Sequence, residues 1–289
     1  DAQFFWEKNK SQNLVKQVTR LKTVNYFKGL GSYFDKIQRM RKLGGMISDE
    51  LLISKDLVEL SASICKVDLI SDLVGEFPEL QGIMGGHFAE AQGFDKEIVS
   101  AVSEHYLPTG IDSKTPKKPF SIALALTDKI DTLVGFFGIN QKPTSSKDPY
   151  ALRRSALGVI KLLIDNNKEF KIKDLISYST TLHKDQGFEI LNQELQQQLG
   201  DFLMERLKYY MKEKKIRTDI AEASINAHGI NHMNKIYKKA LALNNLIKDS
   251  IGEDIIASYK RAARILDSEL KNSDYELSNT TDPGIFKND

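Results

Sequence analysis

Cysteine occurs once in the 289 residues, at Cys65, so the chain can close no internal disulfide and build no cysteine-rich zinc site. A single thiol fits a reducing compartment, and a cytoplasmic location is expected. Neither sign of charge dominates: 41 Lys and Arg stand against 39 Asp and Glu, a formal charge of +2. That balance argues against a histone-like or tail-driven electrostatic binder, so any nucleic-acid contact must come from arrangement. No uninterrupted apolar run reaches the about 18 residues of a membrane span, and the N-terminus lacks the order of a signal peptide. Walker loop, dinucleotide fingerprint, nucleophile elbow and the HExxH metal motif are all missing. What remains is ordinary globular composition, 41% hydrophobic and 28% charged. Its length allows one large or two modest domains.

Proline falls at 78, 108, 116, 119, 143, 149 and 283, leaving 150–282 free of it and permissive for successive long helices. Helical periodicity recurs: Leu126, Ile130, Leu133 and Phe137 share a face, as do Leu152, Ala156, Val159 and Leu163, and Leu203, Leu207 and Met211. Long alternating runs are missing, so the fold class is all-α, with only Gln3 to Trp6 as a residual strand. Breaks are expected near Gly44-Gly45, Gly85-Gly86, Leu107 to Pro119, Gly138 to Pro149, Gly187, and His228 to Asn231. The chain starts at Asp1 without Met, and Asn272 to Asp289 reads as polar loop, so an internal fragment is expected.

Few residues carry obvious chemistry. His228 and His232 have ligand spacing, but Gly229 between them reads as a loop or helix start. His105 shares a helical face with Ile98 and Val102 and reads as a core-edge histidine. Asp128 and Asp131 sit together opposite the Leu126 to Phe137 stripe, where they can hold a cation or, more simply, a lysine. In the segment 142–154, Asp148 and Pro149 read as cap and first residue of a helix. Lys142, Lys147, Arg153 and Arg154 surround that start, and the compensating anion is either a bound phosphate or an internal carboxylate, Asp148 or a distant one. Lys208, Lys212 and Lys215, with Arg206 nearby, make a basic stripe beside the Leu203, Leu207 and Met211 face, and Lys260, Arg261 and Arg264 make a similar cluster.

Long strings then carry a resemblance: Cys65-Lys-Val-Asp-Leu, Val74-Gly-Glu-Phe-Pro-Glu-Leu-Gln-Gly-Ile-Met-Gly85, Glu104-His-Tyr-Leu-Pro108, Ala125-Leu-Thr-Asp-Lys-Ile-Asp-Thr-Leu-Val-Gly135 and Gln141-Lys-Pro-Thr-Ser-Ser-Lys-Asp-Pro-Tyr-Ala-Leu-Arg-Arg154. In this order they resemble the β-subunit family of bacterial heterotetrameric glycyl-tRNA synthetases. Asn140 and Ser145 stand where the family pattern has glycine. The resemblance implies partners, tRNA(Gly) and an α subunit in an assembly of two α and two β, and no membrane or DNA. It also implies that catalysis, with its ATP and Mg, belongs to the α subunit, so this chain has no catalytic residue, metal or cofactor of its own. The central block further resembles a divergent HD domain, the fold of metal-dependent phosphohydrolases, with Lys66, Asp68, His105 and Asp128 at degenerate site positions. Lys66 stands near the place of a metal-binding imidazole, and a protonated lysine ligates no metal.

The expected organisation is 1–29 as a linker from a preceding domain, 30–182 as the HD-like helical domain, and 183–289 as a helical segment starting an anticodon-binding region. The expected role is to position tRNA, with phosphate contacts from Lys142, Lys147, Arg153, Arg154, Arg206, Lys208, Lys212 and Lys215. An active HD phosphohydrolase and a purely structural connector are the rival readings.

Overall fold

The structure, a computed structural model, describes residues 2–248 and 250–272. The loop expected over Asn272 to Asp289 falls, apart from Asn272, outside the described residues. Among those described the chain is all-α, with helices α1 (Ala2–Lys10), α2 (Leu14–Gln17), α3 (Tyr33–Leu51), α4 (Lys55–Ile64), α5 (Asp72–Glu76), α6 (Ile83–Ala91) and α7 (Lys96–Glu104). There follow α8 (Pro119–Gly138), α9 (Leu152–Ile164), α10 (Ile172–Asp185), α11 (Leu195–Glu213), α12 (Thr218–Asn226), α13 (Met233–Leu246) and α14 (Ser250–Asn272). A two-stranded antiparallel hairpin, β1 (Asn25–Phe27) and β2 (Gly31–Ser32), precedes α3. The segment Gln3 to Trp6 is helical rather than strand: it opens α1, and Trp6 stacks on Phe88 of α6 at 5.6 Å.

Contacts divide the chain into two compact units, the first running to Ala240 and the second starting at Leu241. The first is built around α8, whose residues are buried almost throughout; α3, α7, α9 and α10 pack around it. Such a helix is apolar on all sides, and only Thr127, Asp128, Lys129, Asp131 and Thr132 interrupt its middle. Helix α3 begins with a complete capping box, the Ser32 hydroxyl accepting from Asp35 N–H while the Asp35 carboxylate accepts from Ser32 N–H. Helix α11 packs on α9 and buries Leu199, Leu203, Leu207 and Met211. In the second unit α14 carries Lys260, Arg261 and Arg264 in exposed positions.

Both glycine pairs expected to break helices lie inside them. Helix α3 runs through Gly44-Gly45 and α6 through Gly85-Gly86. The reason is close packing: a Cβ at Gly44 would come within 2.9 Å of Val58 on α4, and one at Gly86 within 1.7 Å of Ser103 on α7. The breaks expected after Leu107 and after Gly138 are present, and Gly229 caps a short 3-10 turn, Ile230–His232, rather than dividing a ligand pair.

Candidate functional site

Helix α8 presents its central carboxylates to cations from two other elements. Lys36 and Arg39 come from α3, where they fall in the apolar stripe of Ile37, Met40, Leu43 and Ile47, which leaves both side chains buried. Arg39 grips Asp131 with both arms, Nε to Oδ1 at 2.7 Å and a terminal nitrogen to Oδ2 at 3.2 Å. Its other terminal nitrogen donates to Gln186 at 2.8 Å. The Lys36 ammonium bridges Asp131 Oδ2 at 3.1 Å, Asp128 Oδ1 at 3.2 Å and the Thr132 hydroxyl at 2.9 Å. Burial alone would raise both carboxyls, but the Lys36 and Lys66 ammoniums hold Asp128, and Arg39 with Lys36 holds Asp131, far below the usual carboxylate range. His183, on α10, lies beside this pair, and burial lowers its imidazole to about 4, so it is neutral at pH 7.

The four residues singled out as a degenerate HD site converge, three of them in direct contact. Lys66 Nζ lies 3.0 Å from His105 Nε2, 3.1 Å from Asp128 Oδ1 and 3.8 Å above the Tyr106 ring. His105, at the C-terminus of α7, donates from Nδ1 to the Val102 carbonyl at 2.6 Å, which fixes Nε2 as an acceptor, and that lone pair takes a Lys66 proton. Burial and the Lys66 charge push the His105 pKa well down, keeping the ring neutral. The nitrogen that could ligate a metal is therefore already used. Asp68 is turned aside: its Oδ2 accepts from Gly82 N–H at 2.5 Å and Gly85 N–H at 3.2 Å, capping α6. Gly82 has φ +84°, and a Cβ at Gly85 would lie 3.3 Å from the Asp68 carboxylate, so the Gly-Ile-Met-Gly spacing is the cradle for this acid. Burial raises the Asp68 pKa to about 6, against the Gly82 bond and the Lys66 charge, which lower it.

The cluster opens onto a cleft. One cavity of about 400 Å³ is bordered by Tyr26, Phe27, Tyr33, Tyr106, Phe136 and Tyr150, with Lys36, Lys66 and Asp128 at its floor. Its neighbour, about 540 Å³, shares Gln81, Tyr106, Asp128, Ala151 and Ser155 and adds Lys129 and Arg154.

The chain matches the family model described as glycyl-tRNA synthetase beta subunit over residues 1–226. The chain belongs to that family. The glycine–tRNA ligase beta subunit of Cereibacter sphaeroides is 37% identical over 293 residues, covering all of this chain and 42% of the relative. That of Phenylobacterium zucineum is 38% identical over 94% of this chain and 38% of its own, and that of Acidithiobacillus ferrooxidans 33% over 99% and 40%. This chain thus spans about two fifths of the length of these relatives.

The cationic residues expected at tRNA phosphates fall into different settings. Helix α9 starts at Leu152, three residues after Pro149, because Ala151 turns left-handed with φ +54°. The Asp148 carboxylate reaches forward to accept from Leu152 N–H at 2.8 Å and Arg153 N–H at 2.9 Å. The anion at this helix start is therefore internal. Arg153 folds back onto the Thr144 carbonyl at 2.5 Å, and Lys142 donates to Gln198. Lys147 is exposed, and Arg154 is exposed at the cleft. The stripe on α11 is shorter than its spacing predicts. The helix ends at Glu213, and Lys215 adopts φ +62° as Ile216 N–H closes onto the Met211 carbonyl at 3.1 Å and buries its side chain. Lys215 therefore lies off the helical row. Lys208 pairs with Glu222 of α12, Arg206 pairs with Glu205 and lies over Phe202 and Tyr209, and Lys212 is exposed.

Sequence reasoning missed Lys36 and Arg39. Their signal was present as two cations in phase with an apolar stripe.

Proposed function

We propose that this chain is a tRNA-engaging, non-catalytic part of a glycine–tRNA ligase β subunit, which holds tRNA(Gly) while an α subunit uses ATP and magnesium to attach glycine. Membership of the family supports the ligase role. The observation that carries the non-catalytic part is Lys66: its ammonium lies between His105 Nε2 and Asp128 Oδ1, where it neutralises the acid and consumes the imidazole lone pair. A divalent metal there would have to displace a buried cation, so hydrolysis of nucleotides through such a metal is disfavoured. We read the cluster as an HD-type centre converted from chemistry to binding, with Arg154 and Lys129 at the cleft and Lys142, Lys147 and Lys212 on open surface as the tRNA-facing cations.

The test is aminoacylation by the intact enzyme. Changing Arg154, Lys147 and Lys212 together to Gln is expected to raise KM for tRNA and leave KM for glycine unchanged. The full-length β chain alone is expected to give no glycine-dependent pyrophosphate exchange. Unchanged tRNA kinetics, or exchange activity without α, would overturn the reading.

A further inference from the structure

We propose that the two adjoining cavities in front of Asp128 form one pocket for a single unstacked nucleotide, with the phosphate at Lys129 and Arg154 and the base on the aromatic side. The proposal rests on the tRNA reading above and adds the unit that is recognised. The phosphate half is a built site. Lys129 is 5% exposed, yet its ammonium makes its hydrogen bond to the Tyr106 carbonyl at 3.0 Å, and no carboxylate lies within ion-pair distance among the described residues. Its stem crosses Gly158, where a Cβ would approach Lys129 Cε to 2.3 Å, so the backbone of α9 is shaped to admit it. A buried ammonium on a cavity, with Asp128 nearby but no carboxylate in ion-pair contact, favours an anion there, since binding one restores compensation that burial removed. Arg154 stands on the same cavity with its guanidinium unengaged among the described residues, ready for bidentate contact with a phosphate. Glu79 on this rim is exposed and can turn to solvent.

The base half has the other chemistry a nucleotide needs. Tyr150 stacks on Phe136 at 4.4 Å, and Tyr26 and Tyr106 complete an aromatic border around the cavity of about 400 Å³. Beneath it Asp128 Oδ1 is buried between the Lys36 and Lys66 ammoniums at 3.2 and 3.1 Å, so what the cavity offers a base is its aromatic border. A phosphate alone would leave this half unexplained.

A nucleotide of this chemistry is either a free mononucleotide or an unpaired residue of tRNA, and binding to the full-length β chain separates them. The probes are AMP, CMP, inorganic phosphate and tRNA(Gly), measured by equilibrium titration with wild type, Arg154→Gln, Lys129→Gln and Tyr150→Leu. The expected result is that AMP or CMP binds more tightly than inorganic phosphate, and that Arg154→Gln and Tyr150→Leu each weaken it by about tenfold. Parallel loss of tRNA affinity identifies the source as tRNA. Unchanged tRNA affinity with lost mononucleotide binding identifies a free ligand and removes this cleft from the tRNA reading. The proposal is overturned if neither mononucleotide outcompetes phosphate, or if Arg154→Gln and Tyr150→Leu both bind as wild type. Reduced tRNA affinity in that case leaves the tRNA reading standing and the nucleotide pocket refuted. Arg154 is exposed, so its variant keeps the test open should Lys129→Gln fail to fold.

Discussion

The α8 cluster and the α11 stripe both gather basic side chains, but they hold them in opposite ways. Under α8, Lys36, Arg39 and Lys66 are buried and locked to Asp128 and Asp131 from other segments of the chain. On α11, Lys208 and Arg206 meet carboxylates near the surface, while Lys212 is open to solvent. In the first region charge specifies a packing arrangement; in the second it leaves most of its field in water. Basic residues in a sequence thus report neither availability nor energy until their partners are known.

The largest expected effect tests the locked side of this contrast. Asp131→Ala leaves Arg39 and Lys36 buried with half their counter-charge gone, and a loss of about 3–5 kcal/mol in denaturant unfolding is expected. Glu222→Ala on α12, which removes the partner of Lys208, should cost no more than about 1 kcal/mol. Equal losses would dissolve the distinction between the regions.

Next comes pH. The folded pKa of Asp68 is raised from 3.8 to about 6, so the folded chain holds its proton more tightly than the unfolded one between these values. Stability from this group is therefore full below about pH 4 and lost as pH rises through 6, by about 3 kcal/mol. Asp128 and Asp131 work the other way, their folded pKa values being lowered, and withdraw stability as pH falls below about 4. Subtracting an Asp68→Asn variant isolates the first trend: the difference wild type minus variant should fall between pH 4 and pH 7. A flat difference would mean that the Gly82 and Gly85 N–H groups offset the burial of Asp68.

Much of this was legible beforehand because periodicity and burial run together. The all-α class followed from stripes such as Leu203, Leu207 and Met211, which are the buried face of α11. Asp128 and Asp131 also announced a lysine partner, although the lysines are Lys36 and Lys66 rather than Lys129 between them. What failed were local rules overruled by tertiary contact. Gly44-Gly45 and Gly85-Gly86 look like breakers by propensity, yet they lie where two helices approach too closely for a side chain. Asp148 looks like an adjacent cap, but the left-handed turn at Ala151 moves the helix start and lengthens its reach. Helical spacing ran Lys215 into a row that the burial of Ile216 had already ended.

Glycines sharpen the contrast at a smaller scale. Gly85, in the Asp68 cradle, would place a Cβ 3.0 Å from Val102 Cγ1 and 3.3 Å from the Asp68 carboxylate. Gly200, in the interior of α11, would meet only Ile230 Cδ1 at 3.7 Å. Gly85→Ala is therefore expected to lose about 1–3 kcal/mol through crowding. Gly200→Ala should gain about 0.5–1 kcal/mol from helix propensity. Thermal unfolding of the two variants side by side checks both signs.

The smallest effect concerns the surface pair Lys208 and Glu222, whose side chains are 40% and 52% exposed. A double-mutant cycle with Lys208→Gln and Glu222→Gln should return a coupling of only about 0.2–1 kcal/mol, shrinking in salt. Its value lies in testing the tRNA-engaging role proposed above. If Glu222 already neutralises Lys208, then Lys208→Gln leaves the salt dependence of tRNA affinity nearly unchanged, whereas Lys212→Gln flattens it by roughly one unit of slope. Glu222→Gln should release Lys208 and steepen the slope. Equal flattening by Lys208→Gln and Lys212→Gln would mean that tRNA displaces Glu222, and that this stripe is as available as its composition suggests.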